Sequence, residues 1–267
     1  MRAFACALAL SLALAAPARA APPQRVAQRV ASLNLCTDEL LLMLAEPAQI
    51  VSVTHLAHKR EETPLWQRAR RYGRNDGSLV SVAGLKPDLV LTMGGGARDR
   101  VRIAERLGIR TLDLPFPQSL RGIKAAIGTV AAALGRGVAG QRLIAHIELL
   151  ERTAPPHPLD TIWLGGGGRT VPAQGLAADW MRLAGLRQGA VQGVRVSLEQ
   201  LLVRPPQLLL RSDYRSGQYS SEQRWLSHPL AARAKRSRTL ATDGRPWTCM
   251  GPALIEEVVR LRKAVRR

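Results

Sequence analysis

The chain has 267 residues, 46% of them hydrophobic, which allows one large or two small domains and a substantial core. Its formal charge is +19, from 39 basic and 20 acidic residues scattered along the chain rather than gathered in one run. This balance suits anionic partners, but the scatter reads as a diffusely basic surface and argues against nucleic acid.

Residues 1–20 read as a signal peptide. Arg2 supplies the positive start, Ala3 to Ala16 is an apolar run, and Ala18-Arg19-Ala20 is an A-x-A cleavage site. The run is shorter than the ~20 apolar residues a membrane span needs. Cys6 lies inside it, too early to become a lipidated first residue. A soluble, exported mature chain is expected, outside the cytoplasm where nucleic acid is not a partner. Cleavage leaves 37 basic against 20 acidic residues, a charge of +17. It also leaves Cys36 and Cys249 in a compartment where disulfides form.

After a flexible Pro22-Pro23 start, strands and helices alternate. Val30–Leu33 reads as a strand, Asn34–Thr37 as a turn and Asp38–Ala45 as a helix, with Leu40, Leu41, Met43 and Leu44 facing inward and Thr37 as N-cap. Ile50–Val53 is a second strand. Thr54 to Ser78 is long, polar and basic, with His55, His58, Trp66 and Tyr72. Leu79–Leu85 is a helical turn, Lys86-Pro87-Asp88 a tight turn and Leu89–Thr92 a third strand. Gly94–Gly96 precedes a helix from Ala97 to Leu107, closed by Gly108. Thr111–Leu114 is a fourth strand, and Ser119 caps a helix running to Leu134.

Gly137 to Thr153 is the stretch that organises the rest. Ala139, Leu143, Ile147 and Leu150 share one helical face. Pro155-Pro156 stops the helix. At ~1.5 Å per residue it is a rod of roughly 25 Å. It reads as a strut between two lobes, the alternative being a crossover helix within one continuous sheet.

Beyond it the pattern restarts. Thr161–Leu164 is a strand followed by Gly165–Gly168, and Leu176–Ala184 is a helix ended by Gly185. Ser197 caps Leu198–Val203, Arg204–Gln207 is a turn and Leu208–Arg211 a strand. Gln223–Trp225 belongs to a short helix, Thr239–Thr242 is a strand, and Pro252–Val265 is the final helix. The segment from Gly84 to Leu91 echoes that from Val203 to Leu210. Each is a helix end, a basic residue, a proline turn and an apolar strand, which points to duplicated lobes. The fold class is therefore α/β, with mostly parallel sheets covered on both faces.

Val30-Ala31-Ser32-Leu33-Asn34-Leu35-Cys36-Thr37-Asp38-Glu39-Leu40 resembles the opening strand and helix of the periplasmic substrate-binding proteins of iron-siderophore and vitamin B12 ABC importers. Gly84-Leu85-Lys86-Pro87-Asp88-Leu89-Val90 resembles their most recognisable segment, and Ser197–Leu210 its counterpart in the second lobe. The resemblance covers essentially the whole mature chain. It implies two Rossmann-like lobes, residues 21–136 and 155–267, bridged by one helix at 137–154, with a ligand cleft between them. It also implies a monomer in the periplasm, with no catalysis and no cofactor. That protein would deliver an iron-siderophore or cobalamin-type metal chelate to the permease subunits in the inner membrane. A haem or free-metal binder of the same fold is the alternative.

Ligands of parallel α/β sheets sit beyond the carboxyl ends of the strands. The expected binding residues are therefore Asn34, Cys36, Thr37, His55, Gly94, Gly95, Trp163, Tyr214, Trp247 and Cys249. Glycines there admit a bulky ligand to the backbone, and aromatic faces would stack on a chelate ring. For Trp247, core packing and ligand contact are both open. The family typically docks to its permease through one surface glutamate per lobe. Glu199 stands at that position in the second lobe, whereas the first-lobe position is Val80.

Cys36 with His55 or His58 is the alternative of an exported cysteine hydrolase, but no oriented third group is visible. His55 and His58 make a weak metal pair, with further ligands unspecified. The glycine runs lack the lysine and Ser/Thr of a phosphate loop. For the two mature cysteines a disulfide, thiolate ligation and separate thiols all stand. Thiols that line the cleft and stay unbridged while ligand is bound are expected, because a bridge needs Cα atoms within ~7 Å, and lobes held so close would leave little room.

Overall fold

The computed structural model describes residues 25–95, 102–104, 106–191, 193–214 and 237–266. The signal peptide, Gly96, the start of the helix expected at Ala97 and the helix expected at Gln223–Trp225 lie outside these residues.

Two parallel sheets are present, and not one continuous sheet. The first has five strands, β1 (Val30–Ser32), β2 (Ile50–Thr54), β3 (Gly73–Asn75), β4 (Leu89–Met93) and β5 (Arg110–Leu114), in the order β3-β2-β1-β4-β5. The second has β6 (Leu159–Leu164), β7 (Leu186–Gln188), β8 (Leu208–Ser212) and β9 (Arg238–Thr242), in the order β7-β6-β8-β9. In each lobe the first strand lies inside the sheet and the chain moves out first to one side and then to the other. The echoing segments lead into β4 and β8, which take equivalent places beside β1 and β6.

Helices α1 (Leu35–Leu44), α2 (Trp66–Ala69), α3 (Leu79–Ala83) and α4 (Leu120–Ala133) belong to the first lobe. Helix α5 (Gly137–Arg152) is the strut, and α6 (Leu176–Leu183), α7 (Leu198–Val203) and α8 (Leu254–Val265) belong to the second lobe. Ile147 and Leu150 of the strut are buried, with Ala139 and Leu143 packed beside them, so the expected face is the one that faces inward. Gly140 lets α5 lie directly on α4, where a Cβ would strike that of Ala131.

Both ends of the strut are fastened. Arg136 reaches the Leu44 carbonyl and pairs with Glu46 in the first lobe. Arg262 of α8 donates to Thr153 Oγ1 and to the carbonyls of Leu150 and Leu183. One buried apolar cluster runs from Val30 and Leu41 through Ile127 and Ile147 to Trp180 and Leu261, so both lobes share a core with the strut. Among the described residues no helix is long and apolar enough to cross a membrane.

Several local expectations change. Helix α1 starts at Leu35, and its N-cap is Asn34, not Thr37. The Asn34 Oδ1 accepts from the N–H groups of Cys36 and Thr37 at 3.1 and 2.9 Å. Thr37 instead turns inward onto Ser32 Oγ at 2.7 Å. Strands β3 and β7 and helix α2 emerge from stretches where no strand or helix is expected. Gly-Arg-Asn and Leu-Arg-Gln are three-residue edge strands without apolar alternation, formed because β2 and β6 offer free edges. The final helix begins at Leu254, two residues after Pro252.

Candidate functional site

The carboxyl ends of both sheets face each other across the inter-lobe boundary. Residues joined there lie far apart in sequence. Tyr214, just past β8, bonds through its hydroxyl to Glu62 of the loop after β2 at 2.7 Å. Arg245, past β9, donates to the Arg60 carbonyl at 3.0 Å. It is itself aimed by a two-point pair with Asp243, at 2.8 and 2.7 Å. Burial works against the Asp243 charge, but the bonds from Arg245 outweigh it and hold the carboxyl below its usual range.

Cys36 and Cys249 are joined in a disulfide across this boundary, with their Cα atoms 5.2 Å apart. This overturns the expectation of unbridged thiols. The start of α1 and the turn before α8 meet directly at the lobe boundary. Glu39, one turn along α1, accepts from the Ala253 N–H at 2.9 Å, and Gly251 packs on its carboxylate with no space for a Cβ. With its sulfur in that bond, Cys36 presents no thiolate nucleophile, so the hydrolase alternative lacks its key group in this state.

The other expected residues divide by orientation. Asn34 is spent within its lobe, capping α1 and donating to the Met93 carbonyl at 3.3 Å. Thr37 is fully buried. His55 follows β2, half-buried, with its backbone N–H on the Asn75 carbonyl. Gly94 and Gly95 follow β4 with φ of 109° and 71°, left-handed values that favour glycine. The Phe116 ring lies against Gly94 where a Cβ would stand, and it is 60% exposed.

Trp163 closes β6 with its ring on Gly165 and 6.1 Å from that of Trp247. Trp247 is 4% exposed and donates to Thr242 Oγ1, so it belongs to the core behind Trp163. The Trp163 Nε1 is enclosed yet has no hydrogen-bond partner. An unmet buried donor of this kind is costly unless something supplies an acceptor. His58 Nε2 is also without a partner, and burial, then the Arg74 and Arg70 charges, hold its imidazole below the usual range. Among the described residues no three or more His, Cys, Asp or Glu side chains gather as a metal site.

The family model described as "Periplasmic binding protein" matches residues 30–154. That match spans the first lobe and the strut, just under half of the 267-residue chain. Three solved structures share its fold. The haem-binding protein HutB of Vibrio cholerae superposes with a TM-score of 0.69 at 17% identity, covering 90% of this chain and 99% of that one. The haem-binding protein RhuT of Roseiflexus sp. RS-1, in apo form, gives 0.66 at 22% identity, covering 89% and 98%. The vitamin B12 binding protein BtuF of Vibrio cholerae gives 0.62 at 17% identity, covering 90% and 97%. No curated protein matches the sequence.

The two positions expected to dock can be compared directly. Glu199 lies in the first turn of α7, exposed, and the Ser197 hydroxyl lowers its carboxyl below the usual range. Val80 lies in the first turn of α3, 84% exposed, with Ser78 as the cap. The two serine-capped helices occupy the same place in each repeat, so the carboxylate of one lobe corresponds to a bare apolar side chain in the other.

Sequence reasoning missed Glu39, Glu62 and Arg245. Glu39 and Glu62 are both 5% exposed. A buried carboxylate on α1 carries no local signal, since its partner Ala253 is over two hundred residues away. Arg245 shares the Gly/Pro-rich loop of Trp247, and that composition was the available signal.

Proposed function

We propose that the mature chain is the exported solute-binding component of an ABC importer. It takes one iron-siderophore or cobalamin-type metal chelate between lobes 21–136 and 155–267, hinged on the strut at 137–154. It hands the chelate to the inner-membrane permease, acts as a monomer and catalyses nothing. The match of residues 30–154 to the periplasmic binding protein family model supports the location and the carrier role.

The observation that carries the chelate reading is the Trp163 indole. It stands at the carboxyl end of β6, backed by Trp247, with its N–H enclosed and unmet. A flat ring system would stack on the indole face, and opening of the lobes that uncovers the N–H would let a peripheral acceptor answer that donor. His55, Gly94, Gly95 and Tyr214 are the contacts proposed with it. Asn34, Thr37 and Trp247 support the contact layer from behind, and Cys36 with Cys249 forms part of its floor. A haem ligand is the second reading, favoured by the fold shared with two haem-binding proteins.

The test is a titration of the oxidised mature protein with cyanocobalamin, hemin and a panel of ferric siderophores, read by tryptophan quenching. One chelate should saturate a single site, and Trp163→Phe, which keeps a ring and removes the N–H, should weaken it by roughly tenfold. Zinc or manganese binding with no response to any chelate rejects the reading.

A further inference from the structure

The lobes are joined by the strut and a second time by a knot between the first turns of α1 and the turn before α8. Its covalent part is Cys36–Cys249. Its polar part is Glu39 on the Ala253 N–H. Gly251 fits between them against the carboxylate. Met250 has a φ of 50°, unusual for a residue with a side chain, and its carbonyl accepts from Trp180 Nε1 at 2.8 Å. Trp180 is fully buried in α6, so the turn bearing Cys249 is fixed to the second lobe. Cys36 is fixed to the first lobe by the Asn34 cap. The two sulfurs therefore ride on separate rigid bodies, and the bond is strained by lobe opening rather than by motion within a lobe.

We propose that Cys36–Cys249 is a redox-sensitive tie across the lobes that limits opening of the cleft and thereby sets how long a bound solute is retained. This rests on the reading that the solute lies between the lobes. Both cysteines are partly exposed, so a reductant can reach them. Cys36 occupies the second position of the ten-residue α1, where the positive end of the helix dipole favours a thiolate. It is therefore the better leaving group.

A dithiol protein reductant attacks Cys249 Sγ as a thiolate. The S–S bond breaks, and its electron pair leaves on Cys36 Sγ. The reductant's second thiol, as a thiolate, then displaces Cys249 from the mixed disulfide. The reductant ends as its own disulfide, and the protein gains two electrons and two protons, one thiol on each lobe. What then spans the knot is the Glu39 bond and the Gly251 contact, neither covalent.

The experiment compares the full mature chain oxidised, reduced under native conditions and reoxidised, with a C36S/C249S variant beside it. Amide hydrogen exchange reports lobe contact, and stopped-flow release of hemin and cyanocobalamin reports retention. Reduction should raise exchange at residues 35–39 and 249–254 while the sheet strands stay protected. It should speed probe release at least ~5-fold, and reoxidation should reverse both. Unchanged exchange at the knot, or a bound probe released at the same rate, overturns the proposal, as does a uniform rise through both sheets. If neither probe binds the oxidised protein, the ligand reading fails for them, and the exchange arm decides the tie. Should the double-serine variant not fold, reversible reduction of the native chain still decides it.

Discussion

Two carboxyls side by side on α1 are placed by burial outside their ordinary behaviour. Glu39 is pushed up to about 7 by burial, with the Ala253 N–H pulling the other way. Asp38 is also pushed to about 7 by burial, against hydrogen bonds from Ser32 and Thr54. A carboxyl raised in the folded state holds a proton that the unfolded chain gives up above about 4.5. Its contribution to stability is thus full below that pH and is lost as pH rises to about 7. Glu39→Gln, neutral and of the same shape, should stabilise the protein at pH 8 by on the order of 1–3 kcal/mol and by much less at pH 5. Urea midpoints at the two pH values check this, and an equal gain at both would reject it.

Packing of α5 on α4 depends on one missing side chain. At Gly140 a Cβ meets Ala131, whereas Gly128 on α4 faces open space. Gly140→Leu should cost about 1–3 kcal/mol by forcing the helices apart. Gly128→Ala should be neutral or stabilise by up to ~1 kcal/mol, because it trades a flexible residue for a good helix former. Thermal midpoints of the two variants should move in opposite directions or differ clearly in size. The same helices show what local pattern can reveal. The apolar spacing of α5 and the serine caps at Ser119 and Ser197 are legible because their partners lie within a turn or two. Strands β3 and β7 are not, because edge strands of three polar-rich residues exist only through their neighbours.

Across the whole molecule, the cystine closes a loop with a sequence separation of 213 residues. Replacing both cysteines by serine should lower unfolding stability by about 2–5 kcal/mol, measured by chemical denaturation without reductant. A loss below ~1 kcal/mol would mean the lobes are held as well by the strut and shared core. Docking is a property at the same scale. Glu199→Arg should reduce transporter-dependent uptake while leaving chelate affinity unchanged. Undiminished uptake would remove Glu199 from the permease interface. Val80→Glu would restore a carboxylate on the opposite lobe and should not reduce uptake.

The chain's own pattern determined the alternation of strand and helix, the restart after residue 154, the strut and the strand ends that bear the candidate ligand residues. All of these depend on periodicity and turn chemistry within a few residues. Tertiary structure alone decided that Cys36 meets Cys249, that Glu39 meets Ala253 and that Tyr214 meets Glu62. It also turned Trp247 into the core and left Trp163 with the unmet donor. Spacing along the chain leaves such pairings open, because each partner stands on the other lobe or strand and its distance is set by how two separately built sheets pack against one helix.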